Sequence, residues 1–152
     1  MKKWNVRKLV FSLLACEGAG IIGSVFTFPS IPTWYAGLIK PSFSPPNWLF
    51  GPVWTILYLF MGISMYLIWK KKKSLKLFLI HLGINTGWSI VFFGLHSIVG
   101  GLVVIIVLWS FIFLLIKDFY RIQKIAAYLL MPYLVWVSFA SLLNLSLLLL
   151  NR

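Results

Sequence analysis

The sequence predicts an all-α integral membrane protein, one bundle of five transmembrane helices. Three observations lead there. Apolar residues form 61% of the 152-residue chain, far above the roughly 45–50% of soluble domains. Charged residues form only 11%, too few to coat a water-soluble globule. The apolar residues also gather into five runs, each near the ~20 residues a helix needs to cross a ~30 Å hydrocarbon core. Only helices and closed barrels satisfy their backbone groups in lipid, and continuous runs lack the alternation of a barrel strand.

The runs span residues 6–28, 47–69, 75–95, 98–116 and 125–149. The first follows a basic start, Lys2, Lys3, Arg7 and Lys8. Leu13 to Cys16 has some look of a lipoprotein cleavage site. The apolar stretch before it is shorter than the roughly 7–15 residues of an ordinary signal core, however, and apolar sequence continues beyond it, so the run reads as a retained helix. A loop over 29–46 carries Pro29, Pro32, Pro41, Pro45 and Pro46, which pre-set φ and stiffen it. Lys70, Lys71, Lys72, Lys73 and Lys76 separate the second and third runs, and Lys117, Arg121 and Lys124 the fourth and fifth. Lys40 and Arg152 are the only basic residues on the other side, so the positive-inside rule places the N-terminus in the cytoplasm and the C-terminus outside.

Other chemistry is thinly represented. The net charge of +12 is divided between apolar runs rather than laid along one face, which argues against a nucleic-acid partner. One cysteine, Cys16, excludes an intrachain disulfide and a cysteine metal site. His81 and His96 lack zinc-site spacing, and no catalytic triad or phosphate loop is present. Haem ligation by these histidines competes with a plainer role, imidazole as a hydrogen-bonder between helices.

Within the runs, the informative side chains are those that lipid contact does not require. Phe50, Trp54 and Tyr58 share a face of the second helix at i, i+4, i+8. His81, Asn85, Trp88 and Phe92 share a face of the third, and Tyr133, Trp136, Ala140 and Leu143 of the fifth. Such stripes are most often ordinary packing, and Asn85 and Asn144 serve equally well as interhelical glue. Indole N–H groups deep in lipid want partners, though, and many bulky rings pack around a gap, which points to a cavity for a flat, largely apolar ligand. Trp34, Tyr35 and Phe43 in the proline-rich loop fit either an interfacial belt, as Trp4 and Trp69 do, or a lid over that cavity.

These residues also carry a family resemblance. The stretch WYAGLIKPSFSPPNW (34–48) resembles the first loop of the translocator protein family, also called tryptophan-rich sensory protein or peripheral benzodiazepine receptor. The likeness continues through FGPVWTILY (50–58), Asn85-Thr86-Gly87-Trp88-Ser89 with Phe92-Phe93, and PYLVWVSFA (132–140) with Leu143-Asn144. The resemblance implies a five-helix bundle, usually a homodimer, that binds porphyrins such as protoporphyrin IX, and sterol- or benzodiazepine-type ligands, under the first loop. By that likeness Trp54 and Trp136 face the tetrapyrrole. By the same likeness Tyr35, Pro45, Asn85, Trp88, Ala140 and Leu143 are pocket neighbours, and the aromatic stripes and the lid loop add Trp34, Trp48, Phe50, Tyr58 and Phe92 as candidate ligand contacts. The resemblance extends to light-dependent porphyrin degradation, for which Trp54 and Trp136 are the oxidisable candidates; no resident cofactor or metal is implied. Residues 145–150 hold no tyrosine, so the sterol motif of the family's fifth helix is absent. Leu115-x4-Tyr120-x3-Lys124 fits only the loose sterol pattern.

Glu17 carries the competing reading. An intramembrane carboxylate is a functional candidate by default, and in a small membrane protein it suggests proton-coupled export of cations. Its plainer readings are a neutral, hydrogen-bonded group beside Gly18, Gly20 and Gly23, or a side chain that snorkels toward the cytoplasmic face. A third possibility is a purely structural membrane protein with no saturable ligand. No Arg- and Ser-rich leader precedes the first run, which favours a bacterial cytoplasmic membrane.

Overall fold

The computed structural model describes residues 4–152. Five helices cross the molecule: α1 Val6–Ser30, α2 Phe50–Lys70, α3 Lys76–Ser89, α4 Ile98–Ile122 and α5 Lys124–Leu150. Each is long and apolar enough to span a bilayer once the short turn before α2, Asn47–Leu49, and the π-turn after α3, Ile90–Gly94, are counted with their helices. No strand occurs among the described residues.

Local chemistry sets the ends. Asn5 caps α1 by accepting from the Lys8 amide, and Ser97 caps α4 by accepting from the Gly100 amide. Pro52 lies in the first turn of α2, where a missing N–H costs no helical bond. Two boundaries differ from the sequence pattern. α1 continues through Pro29 to Ser30, whose hydroxyl donates to the Phe93 carbonyl at 2.7 Å. α4 ends at Ile122 rather than 116, because Leu115 and Phe119 remain buried and Phe119 stacks on Phe78 at 6.1 Å. Lys117, Asp118 and Arg121 thus lie on an exposed helix end, and Gln123 alone separates α4 from α5.

Packing follows the ring order α1–α2–α5–α4–α3, closed by α1 against α3. α1 and α2 approach closely: a Cβ on Gly62 would lie 2.9 Å from the Leu13 Cα, so any side chain there would push the helices apart. The half of the bundle near the lysine-rich end is solid. There Met61, Met65, Phe78, Leu108, Ile112, Leu115 and Leu130 are sealed from solvent, and Ser64 donates to the Ala126 carbonyl at 2.8 Å. At this end Lys8 lies 4.9 Å from the Trp69 ring and Lys70 5.6 Å from the Trp4 ring, the mixture of cation and indole expected where a bundle meets a headgroup layer. A second, smaller core of Tyr35, Phe92, Phe93, Leu143 and Leu147 closes the opposite end. The space between the two cores is not filled.

Candidate ligand cavity

That space is a cavity of about 250 Å³ walled by α1, α2, α3 and α5, while α4 buttresses from outside. Trp54 stacks on Tyr58 at 5.6 Å and lies 6.4 Å from Trp88, which stacks on Phe92 at 5.4 Å. Trp136 meets Phe50 edge-on at 6.1 Å. The rings lean on each other and leave faces toward the void, which is how bulky planar side chains on three helices come to enclose a gap.

The roof is the 31–46 loop. Tyr35, only 2% exposed, packs on Phe50, Phe92 and Phe93 at 5.8–6.4 Å. The π-turn at Ile90–Gly94 makes this possible by rotating Phe92 and Phe93 out of the α-helical register; both are buried under the roof. The loop is clamped by the far end of the chain: the Asn151 side-chain amide accepts from the Ile39 N–H and donates to the Ile39 carbonyl, both at 2.9 Å. Burial pushes the Tyr35 phenol above its usual range, with the neighbouring Ser44 hydroxyl acting in the opposite direction. Neither oxygen reaches a partner at hydrogen-bonding geometry.

A directional hydrogen-bond chain forms the floor. His81 Nδ1 lies 2.8 Å from the Phe78 carbonyl and must donate to it, which leaves Nε2 as an acceptor for the Tyr133 hydroxyl at 3.1 Å. Tyr133 Oη in turn accepts from Asn85 Nδ2 at 2.8 Å, and Asn85 Oδ1 accepts from Tyr58 Oη. The chain fixes the amide orientation of Asn85 and engages both nitrogens of His81. His81 is therefore an interhelical hydrogen-bonder, without a free lone pair for haem iron. His96, at φ 53°, stacks on Trp34 at 4.7 Å and its Nε2 lies 3.4 Å from Ser30 Oγ.

Of the residues singled out in the sequence, Tyr35, Phe50, Trp54, Tyr58, Asn85, Trp88, Phe92, Trp136, Ala140 and Leu143 line the cavity. Trp34, Pro45 and Trp48 do not. Trp34 is turned onto His96 and the edge of Phe92, so it braces the roof from behind. Trp48 is 71% exposed on the outer surface, and Pro45 lies within the loop away from the void. The α1 wall was not legible: Gly20, Ile21, Ser24, Thr27 and Phe28 all line the cavity. Its signal was the run of small or hydroxylated residues at 20, 24 and 27, spaced i, i+4, i+7 on an otherwise apolar helix. Ile21, Phe28 and Thr55 line the void and are also exposed on the bundle's outer face, so the cavity opens sideways between α1 and α2.

The sequence model of the TspO/MBR family matches residues 12–150, nearly the whole bundle. This chain belongs to the TspO/MBR family. It is 48% identical to the tryptophan-rich protein TspO of Archaeoglobus fulgidus, over 97% of this chain and 99% of that protein. It is 45% identical to the protein of the same name from Chlorobaculum tepidum, over 96% and 99%. The human translocator protein is 37% identical over 81% of this chain and 78% of its own length. Membership of the TspO/MBR family and five bilayer-length helices make this a multi-pass membrane protein. The blocks behind the family likeness, 50–58, 85–93 and 132–140, supply the α2, α3 and α5 walls of the cavity.

Proposed function

We propose that this protein binds a planar, largely apolar ligand of the tetrapyrrole class, protoporphyrin IX among them, inside the α1–α2–α3–α5 cavity. The observation that carries the reading is the aromatic cavity itself, whose lining residues hold polar atoms with no partner: the Trp88 and Trp136 indole nitrogens and Tyr35 Oη. Buried polar groups are normally paired, and unpaired ones gathered around one void fit a ligand that supplies complementary acceptors and donors.

Size refines the proposal. A cavity of about 250 Å³ lies just below the roughly 300–1,000 Å³ of ordinary ligand pockets. A bicyclic or tricyclic frame, the benzodiazepine type included, is held whole. A tetrapyrrole needs the roof to lift or part of the macrocycle to pass through the α1–α2 opening. Relatives are named translocator protein and tryptophan-rich sensory protein. A sideways opening at the depth of the lipid chains suits a membrane-dissolved ligand that is moved or sensed, and the bacterial cytoplasmic membrane is the proposed setting. Export of cations driven by protons at Glu17 is the other reading; it predicts dye uptake coupled to a pH gradient.

The test is titration of the purified protein in lipid nanodiscs with protoporphyrin IX, in darkness and under illumination, read by tryptophan quenching and porphyrin absorbance. Saturable one-site quenching in the dark supports the proposal, and its absence removes it. Loss of the porphyrin band in light alone, blocked by Trp54→Phe and Trp136→Phe, identifies breakdown as a further step.

A further inference from the structure

Glu17 stands apart from the rest of the cavity. It is the only ionisable carboxyl lining the cavity, on the same face of α1 as Gly20 and Ser24 and at the end far from the roof. No described residue pairs with it by hydrogen bond or ion pair. The Tyr58 hydroxyl, on the facing α2 wall, is already committed to Asn85. Lys8, on the same helix, is nine residues away, about 13 Å along the axis, and is occupied over Trp69.

The surroundings of Glu17 have a definite chemistry. Gly20, one turn further along, lets the Tyr58 ring come so close that a Cβ there would overlap it at 2.4 Å. Trp54 stacks on that ring at 5.6 Å. A half-buried carboxylate at one end of a void lined by the Tyr58 and Trp54 rings attracts one kind of group: a protonated nitrogen, by charge and by cation–π contact together. The plainer role, a neutral carboxyl hydrogen-bonded within the helix bundle, lacks its partner here.

We propose that Glu17, Trp54 and Tyr58 form an amine-recognition subsite, which takes the ammonium group of a flat lipophilic amine whose ring system occupies the rest of the cavity. This deepens the ligand-binding reading above and rests on it. It also gives the cavity a polarity. Anionic groups are disfavoured at the Glu17 end and directed toward the roof, where Lys40 lies over Tyr35 at 4.7 Å.

The experiment uses two probes with one aromatic frame, 1-pyrenemethylamine and 1-pyrenemethanol, titrated into the protein in phosphatidylcholine nanodiscs at pH 7 by pyrene fluorescence. Because both share the pyrene face, any loss of folded protein cancels in the ratio of their dissociation constants. The wild type is expected to favour the amine at least tenfold after subtraction of binding to empty nanodiscs. Glu17→Gln should bring the ratio near one, and Glu17→Asp should restore part of the preference. Equal affinities in the wild type, or a preference that survives Glu17→Gln, overturn the subsite while leaving the cavity reading intact. Failure of the wild type to hold either probe, together with no saturable porphyrin binding, overturns both.

Discussion

Replacing Trp54 by alanine tests where the ligand sits. Trp54 already commits one face to Tyr58, stacked at 5.6 Å, and an edge to Tyr133 at 6.2 Å. About half the ring therefore remains for a ligand. An indole buries roughly 150–250 Å², so half of it at ~25 cal/mol per Å² contributes about 2 kcal/mol or somewhat more. That is about thirtyfold in Kd. The assay is protoporphyrin titration in nanodiscs followed by porphyrin absorbance, which stays valid when a tryptophan is removed. Trp69→Ala serves as the control: Trp69 packs on Phe11 and under Lys8 at the opposite end of the bundle, so its loss should leave porphyrin affinity within about twofold. Equal affinity in the wild type and a folded Trp54→Ala/Trp136→Ala double mutant would place the site elsewhere and refute the reasoning.

Four further outcomes follow from the same geometry. Tyr133→Phe removes the acceptor of Asn85 Nδ2 and the donor to His81 Nε2; at ~0.6–1.7 kcal/mol per interhelical bond it should destabilise by about 1–3 kcal/mol, and an unchanged melting midpoint in detergent would count against the floor chain. Asn151→Ala frees the roof at Ile39, so ligand dissociation measured by stopped flow should be several-fold faster; an unchanged rate would show that the roof does not limit exit. On the outer face of α3, a Cβ on Gly83 or Gly87 would meet nothing, so these glycines do not serve packing within one bundle and we propose them as a homodimer seam: Gly87→Leu should yield monomers in single-molecule counting in bilayers, and persistent dimers would move the seam elsewhere. In a Cys16→Ser background, Ser42→Cys should react with an impermeant thiol reagent on intact cells and Ser74→Cys should not, since twelve of the fourteen basic residues lie on the Ser74 side; the reverse pattern would invert the topology.

Much was legible because the membrane restricts what a chain can do. With five apolar runs and few charges, the backbone has one economical solution, and the periodicity of Trp54 with Tyr58, or of Asn85 with Trp88, follows from helical geometry once the helices are granted. Basic residues also mark the ends of spans well, although α4 shows the limit: Lys117 and Arg121 read as loop residues, yet the helix continues because Phe119 has Phe78 to stack on. That partner is more than forty residues away in sequence, so no local pattern announces it.

By itself, then, the sequence determined the helical class, the number of spans, the stiff proline-rich loop and which faces of α2, α3 and α5 are aromatic. These properties belong to single residues and single helices, set by hydropathy, φ preference and side-chain spacing. Tertiary structure alone decided that the aromatic faces converge with α1 on one void, that the roof is held by Asn151, and that a π-turn re-aims Phe92 and Phe93. It also decided that Trp48 points outward while Glu17 faces the void without a partner. The physical reason is that these are facts about pairs of distant segments. An unpaired carboxylate or an unfilled space is defined by what the other helices fail to bring to it, and only the packed bundle shows that.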